Sequence, residues 1–185
     1  MEQQIHRLFF ALLPDTATRA AIADAAGVAR AAHGFRGAGI DVSRYHMTLQ
    51  FLGDFPAAPH AEIERAKTAA ASFKTETLQF TLDRIVSFGR GRFPCVLRAS
   101  AQTEPALRMF WQRLYFALIR AGFSHKLERG FAPHVTLGYG DAPLGRELPI
   151  APITWQVREC VLLESLVGHS IYNTLGRWPL QQTPA

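Results

Sequence analysis

Cysteine is scarce: two in 185 residues, Cys95 and Cys160, far apart and each inside an apolar run. That excludes a disulfide-stapled scaffold, and both read as buried free thiols. Long apolar stretches are missing too. The run Leu8 to Leu13 is too short for a signal-peptide core or a membrane span, so a soluble, cytoplasmic chain is expected. No block of Lys or Arg forms a nucleic-acid tail, and no linker or low-complexity stretch divides the chain. Residues 1–185 are expected to form a single domain.

What is present suits an ordinary globular core: 48% apolar and 19% charged residues. The net charge of +5 and pI near 9.7 favour anionic partners, nucleotides or nucleic acid among them. Any such site is then a local patch on a fold.

Apolar periodicity lays out alternating strands and helices. Leu8–Leu13 reads as a buried strand. Asp15 or Thr16 caps a helix that runs to about His33, where Gly34 and Gly37 close it. Tyr45–Gly53 alternates as a strand, and Pro56–Phe73 is a second helix with Ile63, Ala66 and Ala70 on one stripe. Strands follow at Thr77–Phe88 and Pro94–Ser100, joined by a basic glycine-containing turn. Thr103–Ala121 is the third helix. Pro133–Tyr139, Thr154–Glu164 and Ser170–Leu175 complete the strands. This order predicts an α/β or α+β domain of two layers.

A repeat is hidden in it. His46-Met47-Thr48-Leu49 returns as His134-Val135-Thr136-Leu137, 134 − 46 = 88 residues later. Each copy follows a strand and a helix. The interval from Phe10 to His46 is 36, and from Arg98 to His134 it is again 36. Two such tetrapeptides arise by chance in this composition about once in a thousand. The repetition predicts two pseudo-symmetric lobes whose motif strands face each other across a cleft.

Strand alternation puts His46 with Thr48, and His134 with Thr136, on one face, roughly 6–7 Å apart within each pair. Met47, Leu49 and Phe51 take the core face of the first strand, and Val135, Leu137 and Tyr139 that of the second. Two imidazoles and two hydroxyls converging on one point suit the opening of a cyclic phosphodiester. One imidazole activates water and the other protonates the leaving ribose oxygen. The hydroxyls bind the non-bridging oxygens. No Asp, Glu or Cys stands beside the histidines within the motifs, so a catalytic metal is not expected and neither is a cofactor.

Four segments then resemble a known family: RLFFALLP at Arg7–Pro14, HMTLQFLGD at His46–Asp54, FAPHVTLGY at Phe131–Tyr139 and LLESLVGHSIYNTLGRWPL at Leu162–Leu180. They are similar, in this order, to the two-histidine phosphoesterases, and more narrowly to bacterial and archaeal RNA 2′,3′-cyclic phosphodiesterases, also called 2′-5′ RNA ligases. The resemblance implies an α+β fold of two pseudo-symmetric strand–helix–strand lobes, with antiparallel sheets around a central cleft. It implies metal-free opening of RNA 2′,3′-cyclic phosphates to 2′-phosphates, and in some members 2′-5′ ligation in vitro. It makes His46 the proton donor and His134 the acceptor, an order that sequence symmetry leaves open. It places Thr48 and Thr136 on the phosphate and Phe9 near the nucleobase. RNA ends or nucleotides are the implied partners, and a monomer is expected. Many relatives carry an arginine just after the second motif, where Gly138-Tyr139 stands here. Arg129, Lys126 or the Arg90/Arg92 turn are the substitutes to consider.

Tyr45, Phe9, Phe131 and Tyr139 are candidates to stack on a base, whereas parity assigns Phe51 to the core. Tyr172 either reaches the cleft or is buried with its hydroxyl satisfied. His6, His33, His60, His125 and His169 have no paired context. Two other readings remain: a non-catalytic module that holds a nucleotide or RNA end, and a phosphodiesterase for small cyclic nucleotides, 2′-5′ oligonucleotides or a cyclic ADP-ribose phosphate.

Overall fold

The computed structural model describes residues 3–33, 39–72, 74–89, 93–125 and 127–181. Its strands are β1 (His6–Leu12), β2 (Met47–Phe55), β3 (Leu78–Ser87), β4 (Phe93–Ala99), β5 (His134–Gly140), β6 (Leu148–Val157), β7 (Glu159–Leu166) and β8 (Ile171–Pro179). The α-helices are α1 (Thr16–His33), α2 (His60–Ser72) and α3 (Glu104–Arg120). None of the described helices is long and apolar enough to cross a membrane.

Two antiparallel four-stranded sheets result, ordered β2-β1-β7-β8 and β5-β4-β3-β6. The orders correspond strand for strand, with each motif strand at one edge beside the strand that precedes its helix. β2 and β5 approach each other. The expected α+β class and two-lobed repeat are therefore present.

Two expectations need correction. The single strand over Thr154–Glu164 is two strands in different sheets, β6 and β7, with the chain crossing between lobes at Arg158. The burial pattern changes there. Ile153, Trp155 and Val157 alternate with more exposed neighbours, as suits an edge strand, whereas residues 160–165 are buried without interruption. β7 lies between β1 and β8 and is covered on both faces. Cys160 and Leu162 join the main core, while Val161 and Leu163 join a smaller cluster with Phe9 and Ala11.

The equal spacing of 36 also fails as a statement of register. Thr48 pairs with Ala11 and Thr136 with Val96, intervals of 48 − 11 = 37 and 136 − 96 = 40. Phe10 and Arg98 are not structural equivalents. The motif strands repeat, while the connections differ by three residues.

Local signals account for the rest. The Asp15 carboxylate accepts from the Thr18 N–H at 2.8 Å and caps α1. Ile63, Ala66, Ala69 and Ala70 form the buried stripe of α2, which packs on α3 and β8. Cys95 and Cys160 are free and buried, and burial raises the Cys95 thiol to about 11. One continuous core draws residues from both sheets and all three helices.

Candidate functional site

The two His-x-Thr segments are built alike down to their hydrogen bonds. His46 Nδ1 lies 2.8 Å from the Arg44 carbonyl, and His134 Nδ1 lies 2.6 Å from the Ala132 carbonyl, each two residues upstream. A carbonyl only accepts, so each Nδ1 carries a proton and donates it. Each Nε2 is thereby left as the reactive nitrogen, an acceptor when the ring is neutral. Burial pushes both imidazoles below the usual 6.5, against a raising effect of each carbonyl bond. Neighbouring Arg44 and His134 lower His46 further. For His134, Arg98 lowers and Glu128 raises.

Each motif strand also carries a β-bulge at the same place. Phe10 and Ala11 face Gln50 and Thr48, leaving Leu49 over. Cys95 and Val96 face Gly138 and Thr136, leaving Leu137 over. An extra residue reverses the in–out alternation beyond it. Leu49 and Leu137 stay in the core, while Phe51 and Tyr139 swing into the cleft. The parity argument that put Phe51 in the core, with Tyr139 on the matching face, is therefore wrong. The aromatic residues are a matched pair, 88 residues apart like the histidines.

A cavity of about 600 Å³ opens between the lobes. It is lined by His46, Thr48, Phe51, Thr136 and Tyr139, by Arg7 and Phe9 of β1, and by Arg44 and Tyr172. Gly39 and Ile40 close one side, held to β5 where the Ile40 N–H donates to the Leu137 carbonyl at 2.9 Å. His134 is not among the lining residues, although its same-face neighbour Thr136 is. It touches Phe88 edge-on at 5.5 Å and Ala132, which line a second cavity of about 360 Å³ with Arg84 and Arg98. His134 thus stands between the two cavities.

The structure brings together His46, Thr48, Thr136, Phe9 and Tyr139 as expected. The Phe9 ring lies 5.2 Å from His46 and 5.6 Å from Tyr172, which meets His46 edge-on at 5.3 Å. Tyr172 therefore does reach the cleft. Arg129 is exposed and does not line the cavity. Tyr45 is core, and Phe131 is core too, stacked on Trp111 at 5.4 Å. Neither offers a face to a base. Lys126, Arg90 and Arg92 lie outside the described residues. Sequence reasoning overlooked Arg44 and Arg7. Parity offered a signal for Arg7, which alternates with Phe9 in β1, whereas Arg44 sits in a 3-10 turn ahead of β2, outside strand alternation.

Comparison with known proteins gives this arrangement a family. A model of the 2′-5′ RNA ligase superfamily matches residues 14–169. The chain belongs to that superfamily. An RNA 2′,3′-cyclic phosphodiesterase of Geobacillus stearothermophilus is 32% identical over 148 residues, 76% of this chain. The match spans 46% of that relative's length. Escherichia coli LigT in complex with NADP+ superposes with a TM-score of 0.76 at 26% identity, over 96% of this chain and 99% of that one. LigT in complex with 3′-AMP gives 0.72 at 26% identity, over 97% and 99%. TT0787 of Thermus thermophilus, at 24% identity and TM-score 0.75 over 95% and 98%, shares the fold.

Proposed function

We propose that this chain hydrolyses RNA 2′,3′-cyclic phosphate ends to 2′-phosphates by metal-free acid–base catalysis at His46 and His134. The observation that carries the reading is the duplicated device. Two imidazoles are anchored through Nδ1 to the carbonyl two residues upstream, each with a threonine on the same strand face, and both threonines line one cleft. A pure binding module has no need of two titrating groups so alike.

The proposed step is an in-line displacement. His134 Nε2 takes a proton from water as its oxygen bonds to phosphorus. The P–O3′ bond breaks, and the departing O3′ takes a proton from His46 Nε2. A 3′-hydroxyl and a 2′-phosphate result. Thr48 and Thr136 donate to the non-bridging oxygens where negative charge builds. Phe9, Phe51, Tyr139 and Tyr172 supply faces and edges for a base. The depressed imidazoles suit the base role. A bound anion raises its neighbour and readies the acid.

The Geobacillus relative, an RNA 2′,3′-cyclic phosphodiesterase, and the LigT complex with 3′-AMP support an RNA end or nucleotide as substrate. Among the described residues no three His, Cys, Asp or Glu side chains gather as a metal set.

The test is an RNA oligonucleotide ending in a 2′,3′-cyclic phosphate, incubated with EDTA. The expected product is a 2′-phosphate, formed by the wild type and lost in His46→Ala and in His134→Ala. A 3′-phosphate product, or full activity in either variant, contradicts the reading.

A further inference from the structure

We propose that Arg44 is the cation that meets the phosphate charge in this cleft. The proposal rests on the phosphodiesterase reading and adds a residue to it. Burial disfavours a positive charge on either imidazole in the ligand-free site. A cyclic phosphodiester brings one negative charge, and a monoester product up to two. A permanent cation has to answer that charge in a partly desolvated cavity.

Two arginines line the cavity, and they are not equivalent. Arg7 is gripped in bidentate fashion by Asp54, Nε to Oδ1 at 2.8 Å and Nη2 to Oδ2 at 2.7 Å. Its charge is already answered. Among the described residues no carboxylate reaches ion-pair distance of Arg44. Its guanidinium lies 4.6 Å from the centroid of the Tyr172 ring, and Nη2 donates to the Tyr172 hydroxyl at 3.1 Å. Its Nε is buried and, among the described residues, has no hydrogen-bond partner. An arginine braced from one side, charged and short of acceptors, is a built anion site. The same residue's carbonyl orients His46, so one stretch of backbone ties the phosphate contact to the imidazole.

The other candidates are spoken for or elsewhere. Arg98, paired with His134 across the strands, also has a buried Nε without a partner among the described residues, but it lies 3.7 Å from Glu104 and faces the second cavity rather than the cleft. Arg129 is exposed away from the cleft.

The test uses calorimetric titration of the full chain with adenosine 2′-monophosphate and, separately, with adenosine. Arg44→Gln is expected to weaken the monophosphate by about 10–100-fold, the range for losing a charge-assisted contact. Adenosine affinity is expected to hold, and Arg44→Lys to recover part of the loss. Equal monophosphate affinity in the wild type and Arg44→Gln overturns the proposal. So does equal weakening of both ligands, which signals a collapsed cleft, and so does no measurable monophosphate binding by the wild type. If the contact proves real while the wild type leaves the cyclic RNA end intact, the phosphate site stands and the phosphodiesterase reading falls.

Discussion

Around His46 the neighbours are aromatic and cationic: Phe9 at 5.2 Å, Tyr172 at 5.3 Å, and Arg44 stacked on that tyrosine. Around His134 they are Phe88 at 5.5 Å and Arg98, with Glu128 within electrostatic reach. The hydrogen bond at Nδ1, the threonine two residues on and the β-bulge beyond it are shared. What is repeated is the part that both proton-transfer roles of the proposed mechanism need: a fixed tautomer and an oxygen ligand. What differs is the charge environment, and under the proposed mechanism that difference would separate the roles. In the ligand-free protein the neighbouring charges act differently on two lowered rings: Arg44 lowers His46, whereas Arg98 lowers His134 and Glu128 offsets that in part. A phosphate seated on Arg44 cancels the first effect, and His46 can then carry the proton that the mechanism asks of it.

The comparison is tested most severely by removing one imidazole from each half. His46→Ala and His134→Ala should each lower kcat by at least on the order of 10²–10⁴. The double variant should lose far less than the product of the two, because the groups act as a unit. Steady-state kinetics on the cyclic RNA end decides this. A strictly multiplicative loss would break the pairing.

Next come the threonines. Thr48→Val and Thr136→Val should each cost about tenfold in kcat/KM, and by similar factors if the halves share the phosphate evenly. A loss confined to one of them would show that a single lobe holds it.

The bulge makes a third comparison possible. Phe51→Ala and Tyr139→Ala should each raise KM about fivefold for a base-bearing substrate, with little change in the urea midpoint. If Phe51 were core, as simple alternation has it, its loss would instead appear as destabilisation of ~3–5 kcal/mol. That contrast marks where the sequence was readable. The histidine–threonine pairs, the α+β order and the helix with its Asp15 cap were legible because each depends on local spacing. The placement of Phe51 was not, because one extra residue in a strand leaves no local signature. The crossing at Arg158 was half legible, since alternation gives way there to continuous burial, but pairing partners far along the chain decide which sheet each strand joins. Arg44 escaped notice because no motif includes it. Its weight comes from lacking, among the described residues, a carboxylate partner while Arg7 has one.

A smaller effect concerns pH. Both imidazoles are lowered by burial in the folded chain, so the unfolded chain binds protons first as pH falls. The stability this leaves intact above about 6.5 is lost as pH falls through 6.5 toward the folded values. Urea midpoints at pH 7.5 and 5 should differ less in His46→Gln/His134→Gln than in the wild type. The kcat/KM profile should be bell-shaped with its maximum below pH 6.5, since it reports the free enzyme.

The central claim is that one device serves both halves while the surroundings assign its roles, and a change of leaving group tests it most directly. A cyclic substrate with sulfur in place of the 3′ bridging oxygen departs without needing an acid. The account predicts that His46→Ala recovers most of its lost rate on this substrate, while His134→Ala stays as impaired as on the oxygen substrate. Recovery in His134→Ala alone would reverse the two roles, and equal behaviour of the two variants would contradict a division of labour between the lobes.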